Sequence, residues 1–125
     1  MKAKKVMVIE DDATLLVAYA TKMRMEGFQV TTATDGAKGL KLATKEQPDV
    51  ILLDLLMPHL SGQGFLRAYD VTSQHRNCAV VVFSNVSDPK VVDECLALGA
   101  TKYLVKSSFT PNDMVETVNE LIKPR

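Results

Sequence analysis

Four short apolar runs in this 125-residue chain each lead into side chains able to do chemistry: residues 6–9 into Glu10 and Asp11, 50–53 into Asp54, 79–83 into Ser84, and 103–105 into Lys106. Three carboxylates held close at neutral pH either take up a proton or recruit a cation. Every candidate ligand is a hard oxygen, with neither Cys nor His at these run ends, so the ion that fits is Mg²⁺, or Mn²⁺, rather than zinc or copper. A carboxylate can also attack phosphorus to form an aspartyl phosphate, and Asp54 is the candidate nucleophile. Phosphoryl transfer depends mainly on positioning and charge compensation. A cation on one side and Lys106 on the other would neutralise oxygens of the transferring group, while Ser84 donates a hydrogen bond to a third.

Taken singly, these residues have commonplace readings. An acid after a strand is often a helix cap, and Asp12 is read as one. Asp54 can be a polar break before Met57-Pro58, Lys106 a solvated loop lysine, and Ser84 a local turn former. Their shared position at four strand ends is what marks them as a set.

The elements that must position them follow from the runs. Apolar stretches without polar alternation suit strands buried on both faces of a parallel sheet, and a weaker strand over residues 28–32 fits between the first two. Helical spacing fills the intervals. Leu16, Tyr19, Ala20 and Met23 define a first helix that stops near Gly27, and Ala37, Leu40 and Ala43 a second that Pro48 closes. A third runs over 63–71. A fourth starts at Asp88-Pro89 and buries Val91, Val92, Cys95 and Leu98 before Gly99. A fifth starts at Thr110-Pro111 and carries Met114, Val115, Val118, Leu121 and Ile122. The sum is an α/β fold, (βα)5: a doubly wound five-stranded parallel sheet of flavodoxin-like order 2-1-3-4-5. In such a sheet ligands bind beyond the carboxyl ends of the strands, at the switch point between strands 1 and 3.

Size and composition agree with one domain over residues 1–125. Fifteen basic against fifteen acidic residues leave a formal charge of zero, so no global field would gather nucleic acid or an anionic membrane. Cys78 and Cys95 lack the spacing of a zinc or redox motif and read as free buried thiols in a reducing compartment. The first apolar run breaks at once on Glu10-Asp11-Asp12, far short of a signal core or a membrane span, so a cytoplasmic protein is expected. The six methionines read as core filler, and His59 and His75 as exposed loop residues without a metal role.

Four stretches in order, Val8-Ile9-Glu10-Asp11-Asp12, Asp49-Val50-Ile51-Leu52-Leu53-Asp54-Leu55-Leu56-Met57-Pro58 followed by Ser61-Gly62, Val82-Phe83-Ser84, and Gly99-Ala100 leading to Tyr103-Leu104-Val105-Lys106, resemble the receiver domain of bacterial two-component response regulators. The resemblance implies that Asp54 accepts the phosphoryl group. It also implies that Asp11 binds Mg²⁺ directly, Glu10 binds it through water, and the Leu56 backbone carbonyl adds a ligand, with Asp12 outside that set. Ser84 and Lys106 take the hydroxyl and lysine roles, and Tyr103 the aromatic switch position. The implied donor is a histidine of a sensor histidine kinase or a histidine phosphotransfer protein. The implied response is a shift of the strand 4–helix 4–strand 5–helix 5 face toward a downstream effector, as a monomer or a phosphorylation-dependent dimer. Such a domain is no enzyme in its own right, although it assists its own phosphorylation and dephosphorylation.

Four positions depart from that pattern. Ser107 replaces the proline usual after the lysine, and a cis bond to a non-proline residue would cost about 3–4 kcal/mol, so the loop either stores strain or runs trans. Asn85 stands where a small residue is usual. Leu56 and Val86 are apolar where relatives often carry groups that guide attacking water, so slow self-dephosphorylation is expected. Among competing readings, a phosphorylation-incompetent interaction module would keep the fold without the chemistry. A haloacid-dehalogenase-type phosphatase would need a second acid where Leu56 stands. A nucleotide site would need glycines in Glu10-Asp11-Asp12-Ala13.

Overall fold

Five parallel strands make the sheet of the computed structural model, which describes residues 3–122. They are β1 (Lys5–Ile9), β2 (Gln29–Ala33), β3 (Val50–Leu53), β4 (Ala79–Ser84) and β5 (Lys102–Val105), in the order β2-β1-β3-β4-β5. The helices between and after them are α1 (Ala13–Met25), α2 (Gly36–Glu46), α3 (Gly62–Tyr69), α4 (Pro89–Ala97) and α5 (Pro111–Ile122), with a single 3₁₀ turn at Lys106–Ser108. The (βα)5 fold and its strand order are as the sequence predicts.

Strand alternation splits the core in two. Met7 and Ile9 of β1 join Ile51, Leu53, Val80 and Val82 in a layer closed by α2, α3 and α4, with Ala43, Phe65 and Cys95 buried there. Val6 and Val8 join Val50, Leu52, Val81 and Phe83 against α1 and α5, where Leu16, Met23, Met114 and Val118 are buried. Both faces of the central strands are therefore dry, the condition under which alternation disappears from the sequence.

Side-chain caps set the helix starts. Asp12 accepts from the Leu15 amide at 3.1 Å, Asp35 from Lys38 at 2.8 Å, Ser61 from Gly64 at 3.1 Å and Asp88 from Lys90 at 2.9 Å. Thr110 and Asp113 cap α5 reciprocally, each side chain accepting from the other's amide. Asp12 is thus the cap the sequence suggests.

Three expectations need correction. The third helix ends at Tyr69 because Asp70 adopts a left-handed conformation with φ 52°, so Val71 lies beyond it. On α4 only Cys95 is fully buried; Val91, Val92 and the C-cap Leu98 are half-buried, with Val91 and Leu98 packed against the core. His75 is no free loop residue: its ring stacks on Tyr69 at 3.8 Å between centroids and its Nδ1 lies 3.3 Å from the Gln47 side-chain oxygen, a contact between the turns after α2 and α3 that no local pattern announces. The methionines divide, with Met7, Met23 and Met114 in the core and Met25 exposed.

The loop between β3 and α3 is held tightly. At Gly36 any Cβ would fall 2.1 Å from the Leu60 carbonyl oxygen, and at Gly62 it would fall 2.8 Å from that of Asp54. Between them the Leu60 amide donates to the Pro58 carbonyl at 2.8 Å around His59, whose φ of 69° makes this a strained γ-turn. The segment carrying the Leu56 carbonyl is consequently fixed at both ends.

Candidate functional site

Strand register brings the chemical residues together. Ile9 pairs with Leu53, so Glu10 and Asp54 leave adjacent strands side by side, and the Asp54 amide donates to the Ile9 carbonyl at 3.0 Å. Ser84 pairs with Val105, which puts Lys106 one residue beyond the hydroxyl. Continuing the alternation, Glu10, Asp54 and Lys106 share parity with Val8, Leu52 and Leu104 on the α1–α5 side. Ser84 shares parity with Val80 and Val82, and Tyr103 packs in their layer.

The acidic set is compact. Glu10, Asp11 and Asp54 each present a carboxylate oxygen within 4.8 Å of the others; Glu10 and Asp54 are buried and Asp11 is exposed. Lys106 extends into it, its ammonium 2.5 Å from Glu10 and 3.6 Å from Asp54. The Lys106–Ser107 peptide is trans. The sequence predicts a lysine beside Asp54; the structure adds that its shorter contact is to Glu10.

Electrostatics follow from that packing. Burial, and next the neighbouring Glu10, push the Asp54 carboxyl up to about 7 against an ordinary 3.8, with Lys106 only partly offsetting them. Burial opposes the Lys106 ammonium, yet the hydrogen bond to Glu10 and the charges of Asp54 and Glu10 outweigh it and raise its pKa above the ordinary value. One ammonium does not satisfy three acids. All the donors are hard oxygens and at least two belong to buried carboxylates, so the set fits an oxygen-seeking divalent cation such as Mg²⁺.

This has a sign that can be measured. A carboxyl raised to about 7 binds a proton in the folded state that the unfolded chain has already released above its ordinary value of 3.8. Its contribution to stability is full below that value, declines as pH rises, and is lost through the folded pKa, by at most ~1.4 kcal/mol per pH unit. Without divalent metal, the parent should therefore lose melting temperature between about pH 5 and about pH 7.5 more steeply than Asp54→Asn, and the variant should melt higher at the upper end of that range. Parallel profiles for the two proteins in thermal unfolding would contradict this electrostatic assignment.

Ser84 is fully buried, and its Oγ accepts from the Val86 amide at 3.2 Å. The Tyr103 hydroxyl donates to the Val86 carbonyl. Val86 thus bridges the two switch candidates through its backbone, a role that no side-chain type in the sequence reveals. Leu56 places its side chain in solvent, 67% exposed, and neither it nor Val86 brings a polar side chain to the site. A groove of about 410 Å³ opens beside Lys106, lined by Leu15, Ala18, Tyr19, Asn85, Phe109 and Pro111 among others. Tyr19 is the residue there that sequence reading assigned only to the core; its ring meets Phe83 edge-on at 5.2 Å.

Comparison with known proteins gives the same picture. The family model described as the response regulator receiver domain matches residues 6–119. Transcriptional regulatory protein PrrA of Mycobacterium tuberculosis is 35% identical over 121 residues, covering 97% of this chain and 51% of that protein. The probable chemotaxis protein CheY of Rhizobium etli is 29% identical over 103 residues, 82% of this chain and 80% of that protein. The chain thus spans about half the length of PrrA. Among solved structures, chemotaxis protein CheY4 of Vibrio cholerae matches with a TM-score of 0.88 at 29% identity, over 97% of this chain and 100% of that one. The receiver domain of the putative response regulator NarL of Mycobacterium tuberculosis matches with a TM-score of 0.86 at 29% identity over the whole of both chains.

Proposed function

The chain belongs to the response regulator receiver family, and from that premise we propose that Asp54 takes a phosphoryl group from a histidine of a sensor kinase or a histidine phosphotransfer protein. The observation that carries this reading is the buried Asp54 carboxylate meeting Glu10, Asp11 and Lys106 at the carboxyl end of the sheet. An Asp54 oxygen attacks phosphorus in line with the phosphorus–nitrogen bond; the new P–O bond forms as P–N breaks, and the electron pair leaves on the imidazole nitrogen. Asp11, Asp54, the Leu56 carbonyl and, through water, Glu10 would hold Mg²⁺, which when bound would supply positive charge to the phosphoryl oxygens. Lys106 supplies the second positive charge from the other side, and Ser84 turns its O–H toward a phosphoryl oxygen. This makes the chain a phosphoacceptor that assists its own phosphorylation and dephosphorylation rather than an enzyme acting on others.

The test is intact-mass measurement after incubation with a small phosphodonor and Mg²⁺. A phosphate-sized gain that a chelator suppresses is expected, and no gain under any metal condition would sink the reading in favour of an inert interaction module.

The readout we infer runs through Ser84 and Val86 to Tyr103. When Ser84 turns toward the phosphoryl group, the bond its Oγ accepts from the Val86 amide shifts with it, and the Tyr103 hydroxyl bound to the same residue readjusts. The β4–α4–β5–α5 face then shifts between states already in equilibrium. Tyr103→Ala should phosphorylate normally while amide chemical-shift changes on phosphorylation stay confined to the β4 end and no longer reach α4. Full propagation into α4 would remove the ring from the pathway.

The proposed setting is cytoplasmic, supported by two buried free thiols, Cys78 and Cys95. Among the described residues no helix is long and apolar enough to cross a membrane. The downstream effector is a protein or a linked domain. No direct contact with nucleic acid or membrane is proposed for this domain, whose net charge is zero.

A further inference from the structure

Tyr19 carries a hydroxyl where a ring alone would serve the packing. It sits on the buried face of α1 with Leu16, Ala20 and Met23, in the layer between the sheet and α1 and α5. Its ring meets Phe83 edge-on, one residue before Ser84, and a phenylalanine would make the same contact. The other two tyrosines place their hydroxyls differently. That of Tyr103 donates to Val86, and that of Tyr69 is enclosed without a partner where its ring lies on His75. Tyr19 instead lines the groove beside Lys106, and among the described residues its hydroxyl has no hydrogen-bond partner. The hydroxyl of a buried tyrosine ordinarily finds one.

Lys106 is the neighbour able to supply it. Of the charges that act on the phenol, that of Lys106 is the strongest: burial pushes the Tyr19 pKa up, Lys106 pulls it down, and the weaker effects of Glu10, Asp12 and Asp54 push it up. An ammonium has three N–H donors. Glu10 at 2.5 Å and Asp54 at 3.6 Å occupy at most two of them, and the lysine side chain is only 14% exposed, which leaves little water to take the third.

The third donor matters most when the acids are shared with a cation. A divalent charge on the oxygens of Glu10, Asp11 and Asp54 repels the ammonium and draws off the carboxylates that hold it. The lysine stem is flexible, and the groove of about 410 Å³ gives it room to swing away from Asp54. A phenol oxygen is a neutral acceptor that stays available under those conditions.

We propose that Tyr19 is a positioning residue for Lys106: its hydroxyl oxygen accepts the third N–H of the ammonium once the carboxylates are shared with Mg²⁺, and so keeps that charge beside Asp54. This rests on the reading in which Lys106 faces the phosphoryl group. Because the hydrogen bond belongs to the metal-loaded site, linkage makes it favour metal binding. Its loss should therefore weaken Mg²⁺ binding, whereas loss of the ammonium itself removes a competitor and strengthens it.

A double-mutant cycle of Tyr19→Phe and Lys106→Met tests the proposal. Phenylalanine keeps the ring contact with Phe83, so circular dichroism and melting should stay parent-like. In the parent background Tyr19→Phe should weaken Mg²⁺ binding in titration calorimetry by roughly threefold, the worth of one net hydrogen bond. It should also slow the mass gain from a small phosphodonor at saturating Mg²⁺ by about the same factor. In the Lys106→Met background the same change should move neither quantity. A Tyr19→Phe protein that binds Mg²⁺ as the parent does overturns the proposal. An equal loss in both backgrounds overturns it too, because the hydroxyl would then act on the site without Lys106. The cycle cancels any loss of stability common to both backgrounds. Calorimetry needs no phosphorylation, so a parent that takes up no phosphate defeats the phosphoacceptor reading alone, and the metal-binding cycle decides this one.

Discussion

Asp54→Ala should abolish the phosphate-sized mass gain expected of the parent with a small phosphodonor and Mg²⁺. The loss is expected to be complete rather than partial, because Asp54 is the proposed nucleophile and no neighbour can replace it in place. Glu10 is buried and already engaged, its two oxygens taken by Lys106 and by the Asp12 amide. Asp11 is exposed and lies outside the β3 position from which Asp54 faces the site. A gain that persists in the variant would move the acceptor to another carboxylate and overturn the assignment. The same variant should remain folded, since removing a carboxyl that burial and Glu10 push up to about 7 relieves the metal-free site.

Lys106→Met should move two measurements in opposite directions. Its ammonium neutralises Glu10 at 2.5 Å and Asp54 at 3.6 Å, so it competes with a metal for the same oxygens. Without it, Mg²⁺ should bind several-fold tighter. Phosphorylation should nevertheless slow by about 10²-fold, the usual cost of losing one preorganised stabilising group in a transition state. Titration calorimetry and the time course of mass gain read the two effects separately. Slower phosphorylation with unchanged metal affinity would mean that the contact with Glu10 does not persist in solution. A parent-like rate would remove Lys106 from the chemistry.

The sheet and the residue types gathered at its carboxyl end are legible because both rest on short-range signals. Four dry runs each led into a chemically distinct residue, and Asp12, Asp88 and Thr110 marked helix starts by the chemistry of their own side chains. Which partner each site residue meets was not legible, because that depends on register between strands far apart in sequence. Lys106 and Glu10 are separated by 96 positions, and their contact rests on the pairings of β1 with β3, β3 with β4 and β4 with β5. The stacking of His75 on Tyr69 depends on how the chain turns after α3 and meets Gln47, 28 positions away, and the depth to which α4 buries its apolar residues depends on how short a face that helix lays on the sheet.

The bridge from Ser84 to Tyr103 crosses a single Cα atom: the amide of Val86 meets one hydroxyl and its carbonyl meets the other. Whatever passes between them is carried by two backbone torsions and not by the valine side chain. The position is therefore free to drift among most residue types without cutting the connection, while proline, which lacks the amide hydrogen, would sever it at the Ser84 end. A switch running along this main-chain path would keep its wiring whatever side chain stood at its midpoint.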